Sequence, residues 1–177
     1  MSFRATLAGG LALPCLLFTP IAALAQEAAG KVVIVPENRQ REYAEYHYAP
    51  AVRIGDRVIL SGIPAGGPGT YKEQVRRLFT RVKNTLAAAG AGLDDLIEIQ
   101  TFHANARNSE DFGKELREFI AVYGEFVTGA YPAWTAIGNA VLLSPGAVLE
   151  MRVEAVVGAG KTARVEKVPA IGLARPN

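Results

Sequence analysis

Sulfur and imidazole chemistry is scarce in this sequence: its 177 residues include one cysteine, two methionines and two histidines. The cysteine, Cys15, lies in an apolar N-terminal run, so the rest of the chain has no disulfide, no thiolate nucleophile and no thiolate metal ligand. His47 and His103 stand far apart, without the His/Cys/carboxylate spacing of a metal site, and no cofactor is called for. Charge of one sign is lacking too. With 19 basic and 17 acidic residues the net charge is +2, which does not hold a protein to a polyanion, and no nucleic-acid partner is expected. Half the residues are apolar and 20% are charged, which excludes a disordered or collagen-like chain.

Only one long hydrophobic run occurs. Arg4 leads an apolar stretch from Ala5 to Leu24, and Ala23-Leu24-Ala25 places small residues at the −3 and −1 positions of a cleavage site. Residues 1–25 therefore read as a secretory signal peptide cleaved before Gln26, and the protein is expected in the periplasm or outside the cell. Removing 25 of 177 residues leaves 152, with 18 basic against 17 acidic groups because Arg4 departs with the leader. One domain of that size buries about 70% of its unfolded surface and needs no staple. No other stretch reaches the ~18–20 apolar residues of a membrane span.

Local patterns predict the remaining elements. Lys31 to Val35 is a β-branched run stopped by Pro36, and a polar, tyrosine-rich segment from Glu37 to Tyr48 follows. Ala51 to Gly62 reads as a hairpin turning at Gly55-Asp56, and the Gly/Pro-rich stretch from Ile63 to Thr70 as a loop. Tyr71 to Ala89 carries Val75, Leu78, Phe79, Val82 and Leu86 at helical spacing, with Gly90 placed for a left-handed C-cap. Leu96 to His103 alternates as a strand. Asn108 or Ser109 opens a second helix whose expected buried stripe is Phe112, Leu116, Phe119, Ile120 and Tyr123. Ala133 to Leu143 and Val148 to Val157 read as the last strands, turning at Ser144-Pro145-Gly146. The order β(ββ)αβαββ predicts an α+β domain over 26–157, a mixed sheet with two helices on one face. Residues 158–177 are expected to form a tail, flexible or clamped on a neighbour.

Several tempting motifs weaken on inspection. Gly158-Ala159-Gly160-Lys161-Thr162 resembles the end of a phosphate-binding loop, but Ala155 stands where that motif needs its first glycine. Ser61, in Leu60-Ser61-Gly62-Ile63, is not in a nucleophile elbow. Lys72, Arg76, Arg77, Arg81 and Lys83 give the first long helix a basic face, read as solvated.

Four stretches, in order, resemble a known family. They are Tyr48 to Gly62 (YAPAVRIGDRVILSG), Leu86 to Leu96 (LAAAGAGLDDL), Tyr131-Pro132-Ala133, and Ser144 to Glu150 (SPGAVLE). Together they are similar to the RidA (YjgF/YER057c/UK114) family from about Tyr48 to Val157. The resemblance implies a chorismate-mutase-like fold and a homotrimer whose sheets form a barrel, with three ligand clefts between subunits. The best-known members hydrolyse enamines and imines made from amino acids, releasing ammonia and a 2-keto acid. In them an arginine just after the Pro-Ala pair clamps the substrate carboxylate; here that position is Trp134.

An indole offers one donor and no charge where guanidinium offers a bidentate fork. Ile120 stands where deaminating members carry a pocket asparagine, and Ala136 replaces a small polar residue. Tyr48, the Ser61-Gly62 backbone and Glu150, the counterpart of the pocket glutamate, match the family. On a strand Arg152 shares the face of Glu150, so it either supplies the missing charge or belongs to a solvent-side ladder with Glu150 and Glu154. The expected function is an exported trimer whose clefts bind a small uncharged, aromatic or cationic ligand. The alternative is an imine or enamine deaminase, a hydrolase, of altered specificity. Trp134 and Ile120 line the cleft or simply fill core or trimer-interface volume.

Overall fold

Gly55, at φ 58°, lets the chain reverse between two apolar runs, and this hairpin seeds a single sheet. The computed structural model describes residues 29–167. Its strands are β1 (Lys31–Ile34), β2 (Ala51–Ile54), β3 (Arg57–Ala65), β4 (Leu96–His103), β5 (Ala133–Gly138) and β6 (Leu149–Val156). They lie in the order β1-β2-β3-β6-β4-β5, with β4 and β5 parallel and every other neighbouring pair antiparallel. The helices are α1 (Gln40–Tyr46), α2 (Tyr71–Ala88) and α3 (Ser109–Phe126). The expected signal peptide lies outside the described residues, as does the end of the tail. Among the described residues no helix is long and apolar enough to cross a membrane.

The long helices begin where the sequence predicts. Thr70 and Glu73 form a reciprocal capping box at α2, and the Asn108 side chain accepts a hydrogen bond from the Asp111 N–H at α3. Gly90, at φ 84°, ends α2, and the following Ala91 N–H bonds back to Leu86. α2 buries Val75, Leu78, Phe79, Val82 and Leu86 in one core with Ile63 and Ala65 of β3 and with Leu149, Met151, Val153 and Ala155 of β6. Phe79 packs on Phe119, Phe126 and Tyr123 of α3, with ring centroids 5.0–5.9 Å apart.

Five sequence expectations change, the first being that β3 continues through Ile63, Pro64 and Ala65, where pairing with β6 extends the strand into the stretch read as a loop. The segment from Glu37 to Tyr48 is not irregular: a 3-10 turn over Glu37–Arg39 runs into α1, supported by pairs Arg39–Glu42 and Arg41–Glu45 at helical spacing. In α3, Val122 is buried while Ile120 is 46% exposed, because the helix turns Phe119, Val122 and Tyr123 to the sheet and leaves its flank over edge strand β5 uncovered. β5 stops at Gly138, because its partner β4 ends at His103 and the Asn139 N–H caps that strand's last carbonyl. The expected tail starts as a docked element: Ala159–Thr162 forms a 3-10 turn, and Asp95 accepts the Gly160 N–H at 3.1 Å.

That docking leaves no room for a side chain. A Cβ on Gly160 would lie 2.7 Å from both the Cβ and the carbonyl oxygen of Asp94, and backbone cannot yield cheaply. Gly160→Ala is expected to cost about 1–3 kcal/mol. Thermal unfolding reads the result, and an unchanged midpoint would show that the turn does not pack on Asp94.

Candidate functional site

The hydrophobic phase of β3 breaks in its middle. Val58 and Leu60 are buried, then Ile63 and Ala65, and the pairing with β6 shifts between Leu60 and Ile63. This irregularity sits at Ser61-Gly62, as bulges next to binding sites do. Ser61 is fixed there: its N–H donates to the Pro50 carbonyl at 3.1 Å, and its hydroxyl donates to the Ala49 carbonyl at 2.7 Å. Across the sheet, Glu150 of β6 lies over Gly62. A Cβ at position 62 would fall 1.8 Å from Glu150 Oε1, so only glycine leaves the carboxylate its place.

These groups open into a cavity of about 620 Å³ that Tyr48 also lines. The structure thus gathers Tyr48, Ser61, Gly62 and Glu150 into one site from three separate stretches of chain. Two arginines that the sequence reading did not single out as site residues join them. Arg39, with 5% side-chain exposure, donates from Nε to Glu42 at 2.9 Å, while its buried Nη1 has no hydrogen-bond partner. Arg81 reaches from α2 to donate to the Pro64 carbonyl at 3.0 Å. Although much of that residue is exposed, desolvation of the guanidinium and then the positive charge of Arg39 hold the Arg81 pKa below its usual value.

The basic face of α2 is therefore not a merely solvated one. Arg76 forms a two-pronged ion pair with Glu125 of α3, and Arg77 donates to the Gly66 and Pro68 carbonyls, holding the Gly/Pro-rich loop. The paired spacing of Arg39 with Glu42 was the only sequence signal for Arg39, and nothing local marked Arg81.

Arg152 does share the outward face of β6 with Glu150, but its charge is engaged elsewhere. It donates to Glu154 at 2.6 Å and lies 3.8 Å from Glu98, and it does not line the cavity. Burial raises the Glu154 pKa, yet hydrogen bonds and charge from Arg57 and Arg152 outweigh it and hold the carboxyl below its usual range. Arg152 thus belongs to a network around the buried Glu154, which is bracketed by two guanidinium groups, and Glu150 forms no ion pair in it.

Trp134 and Ile120 sit on a different surface. Together with Tyr123, Tyr131 and Pro132 they line an apolar depression of about 380 Å³ on the flank of α3. Trp134 is partly core: its ring centroid is 5.3 Å from Phe119 and 5.9 Å from Tyr123. Its indole N–H donates to Thr101 Oγ at 3.0 Å. Because an indole can only donate, Thr101 accepts there and can pass its own proton to His103 Nε2 at 3.0 Å, leaving His103 Nδ1 to donate to Glu115 at 2.9 Å. His103 is thus a fully buried structural group between Phe112 and Phe119. Ala136, half-buried, follows Trp134 on the same face of β5. Among the described residues no cluster of three His, Cys, Asp or Glu could hold a metal ion.

A mixed sheet with its two long helices on one face, and a polar cavity beside the bulge of its central hairpin strand, defines an α+β protein of the chorismate-mutase-like, RidA-type fold. The chain belongs to the RidA (YjgF/YER057c/UK114) family: the family model described as Endoribonuclease L-PSP matches residues 38–157.

It is 34% identical over 114 residues to the RutC family protein YjgH of Escherichia coli, a match covering 61% of this chain and 82% of that protein. The solved structure of YjgH superposes with a TM-score of 0.60 at 31% identity, over 72% of this chain and 96% of the other. The family member Rv2704 of Mycobacterium tuberculosis, at 22% identity and a TM-score of 0.60, shares the fold over 72% of this chain and all of its own. A protein of Dermatophagoides farinae named 2-iminobutanoate/2-iminopropanoate deaminase is 28% identical over 102 residues, covering 54% of this chain and 74% of that one.

Proposed function

We propose that this chain is an exported, trimeric small-molecule-binding member of its family, with clefts shared between subunits. The single observation that carries the reading is the apolar wall of Trp134, Tyr131 and Ile120 at the position where the family resemblance expects a carboxylate-binding arginine. In one subunit this wall and the cavity of Tyr48, Ser61, Gly62 and Glu150 share no lining residue, so a neighbouring copy is needed to face one with the other. Tyr131, 70% exposed, and Ile137, 42% exposed, flank the uncovered edge at which such a copy would dock. The wall meets a ligand through an uncharged, aromatic or cationic group, because the one donor of the indole is already spent on Thr101.

One observation favours a second reading, an imine or enamine deaminase of altered specificity: Glu150 is held over Gly62 and beside Ser61 in an open cavity, where a carboxylate could position water. The two readings separate in a coupled assay with 2-iminobutanoate and 2-iminopropanoate, run beside an NMR titration of the single indole N–H with benzyl alcohol and benzylamine. The expected result is little imine turnover and a clear indole shift. Turnover in the wild type, lost in Glu150→Gln, would replace the binding reading with the hydrolytic one. Light scattering of the purified protein tests the trimer, and N-terminal sequencing of the exported form tests cleavage before Gln26.

A further inference from the structure

The charged groups that line this cavity are only partly paired with one another, which the wall of Trp134 does not explain. Five charged side chains line it: Arg39, Arg41 and Arg81, with Glu42 and Glu150. Arg41 is paired outside the site with Glu45 at 2.7 Å, and Glu42 is taken by Arg39 Nε at 2.9 Å. Glu150 makes no ion pair with either remaining arginine, and Arg81 has no carboxylate partner among the described residues.

Two guanidinium groups thereby line one cavity, one an ion-paired Arg39 with a donor to spare and the other an Arg81 without an ion-pair partner among the described residues. Arg39 keeps a buried Nη1 without an acceptor, and a buried unpaired donor is costly unless something supplies the missing oxygen. Arg81 uses one N–H on the Pro64 carbonyl, which aims the guanidinium while leaving its charge uncompensated. Desolvation first, and then the charge of Arg39, hold the Arg81 pKa below its usual value, and an anion seated between the two guanidinium groups would offset both.

We propose that Arg39 and Arg81 form an anion-binding pole in this cavity, taking a carboxylate or phosphate group and so replacing, from within one subunit, the charge absent at position 134. The inference deepens the binding function proposed above and rests on its cavity. An uncharged or cationic partner suits the wall alone; a ligand spanning both surfaces carries an anionic group at one end and an apolar or aromatic body at the other. Guanidinium forks suit both oxyanions, planar or tetrahedral, through paired charge-assisted hydrogen bonds.

Matched probes test it by calorimetry on the purified protein: 3-phenylpropanoate, 3-phenylpropan-1-ol with the same body and no charge, and inorganic phosphate. The acid is expected to bind about 10- to 100-fold more tightly than the alcohol, the range of one or two charge-assisted hydrogen bonds. Arg81→Gln, which removes the charge from the cavity while keeping a side chain of similar reach, should reduce acid binding to about the level of the alcohol. Arg39→Lys, which keeps the charge but not the fork, should weaken the acid by a smaller factor.

Equal binding of acid and alcohol overturns the proposal, and so does an acid preference that survives both substitutions. Phosphate distinguishes the two anion sources and also separates this pole from the shared cleft. If phosphate binds, depends on Arg81 and is indifferent to Trp134→Ala, while the aromatic probes ignore Trp134→Ala as well, the pole stands and the shared cleft falls.

Discussion

Replacing Phe119 with alanine lowers the stability of this protein by about 3–5 kcal/mol, the usual range for emptying a buried phenylalanine site. The ring is fully buried and touches four other rings, those of Phe79, Tyr123, His103 and Trp134, at centroid distances of 5.3–6.2 Å. These neighbours are themselves wedged between α2, α3 and the sheet, so the site cannot collapse to fill the void. Urea unfolding measures the loss. The control is Ile120→Ala one residue along α3, where 46% exposure predicts a change within about 0.5 kcal/mol in the isolated subunit. A Phe119→Ala variant nearly as stable as wild type would mean that α3 does not pack as described. Because Phe119 also backs the indole of Trp134, the same variant should broaden the indole N–H signal.

Thr101→Val is the second large effect, and it arises from hydrogen bonds rather than volume. Valine fills the same space, but it strands the indole N–H of Trp134 and Nε2 of His103, both bonded to the Thr101 hydroxyl at 3.0 Å. The threonine itself is fully buried, so water does not replace it. Each stranded group costs about 1–3 kcal/mol, and a total near 2–4 kcal/mol is expected. A double-mutant cycle separates this mechanism from a packing fault. In a Trp134→Phe background one of the two partners is already gone, so Thr101→Val should cost about 1 kcal/mol less than in wild type. Full additivity would show that the indole does not depend on Thr101. The outcome also bears on function, because an indole held by Thr101 presents its face rather than its N–H to a ligand.

Much of the fold was legible because it is written in short-range pattern. The bounds of the alternating run from Leu96 to His103 match β4, although a register shift near its start buries Leu96 and exposes Ile97, and the apolar spacing from Val75 to Leu86 matches the buried stripe of α2. Caps at Thr70 and Asn108 and the positive φ of Gly55 and Gly90 are demands of local backbone chemistry, so the residues that meet them can be read directly. The motifs shared with the family added Tyr48, Ser61, Gly62 and Glu150, all of which the structure places in one cavity.

What escaped the sequence was whatever depends on which distant element lies alongside. Ile120 and Val122 both fit an apolar helix face; only the position of α3 over the sheet edge decides that one is exposed and the other buried. Arg81 looked like a solvated charge, and Arg39 drew no reading at all, because a guanidinium's role is set by the acceptors and like charges around it. Those are fixed by the bulge in β3, the placing of α1 beside it and the insertion of β6 between β3 and β4. The sequence by itself determined the two long helices, most of the strands and the family they belong to, because those follow from neighbours along the chain. Tertiary structure alone decided that Arg152 is paired with Glu154 and lies near Glu98 while Arg81 lines the cavity with no ion-pair partner among the described residues, since electrostatic pairing is a property of distance in space.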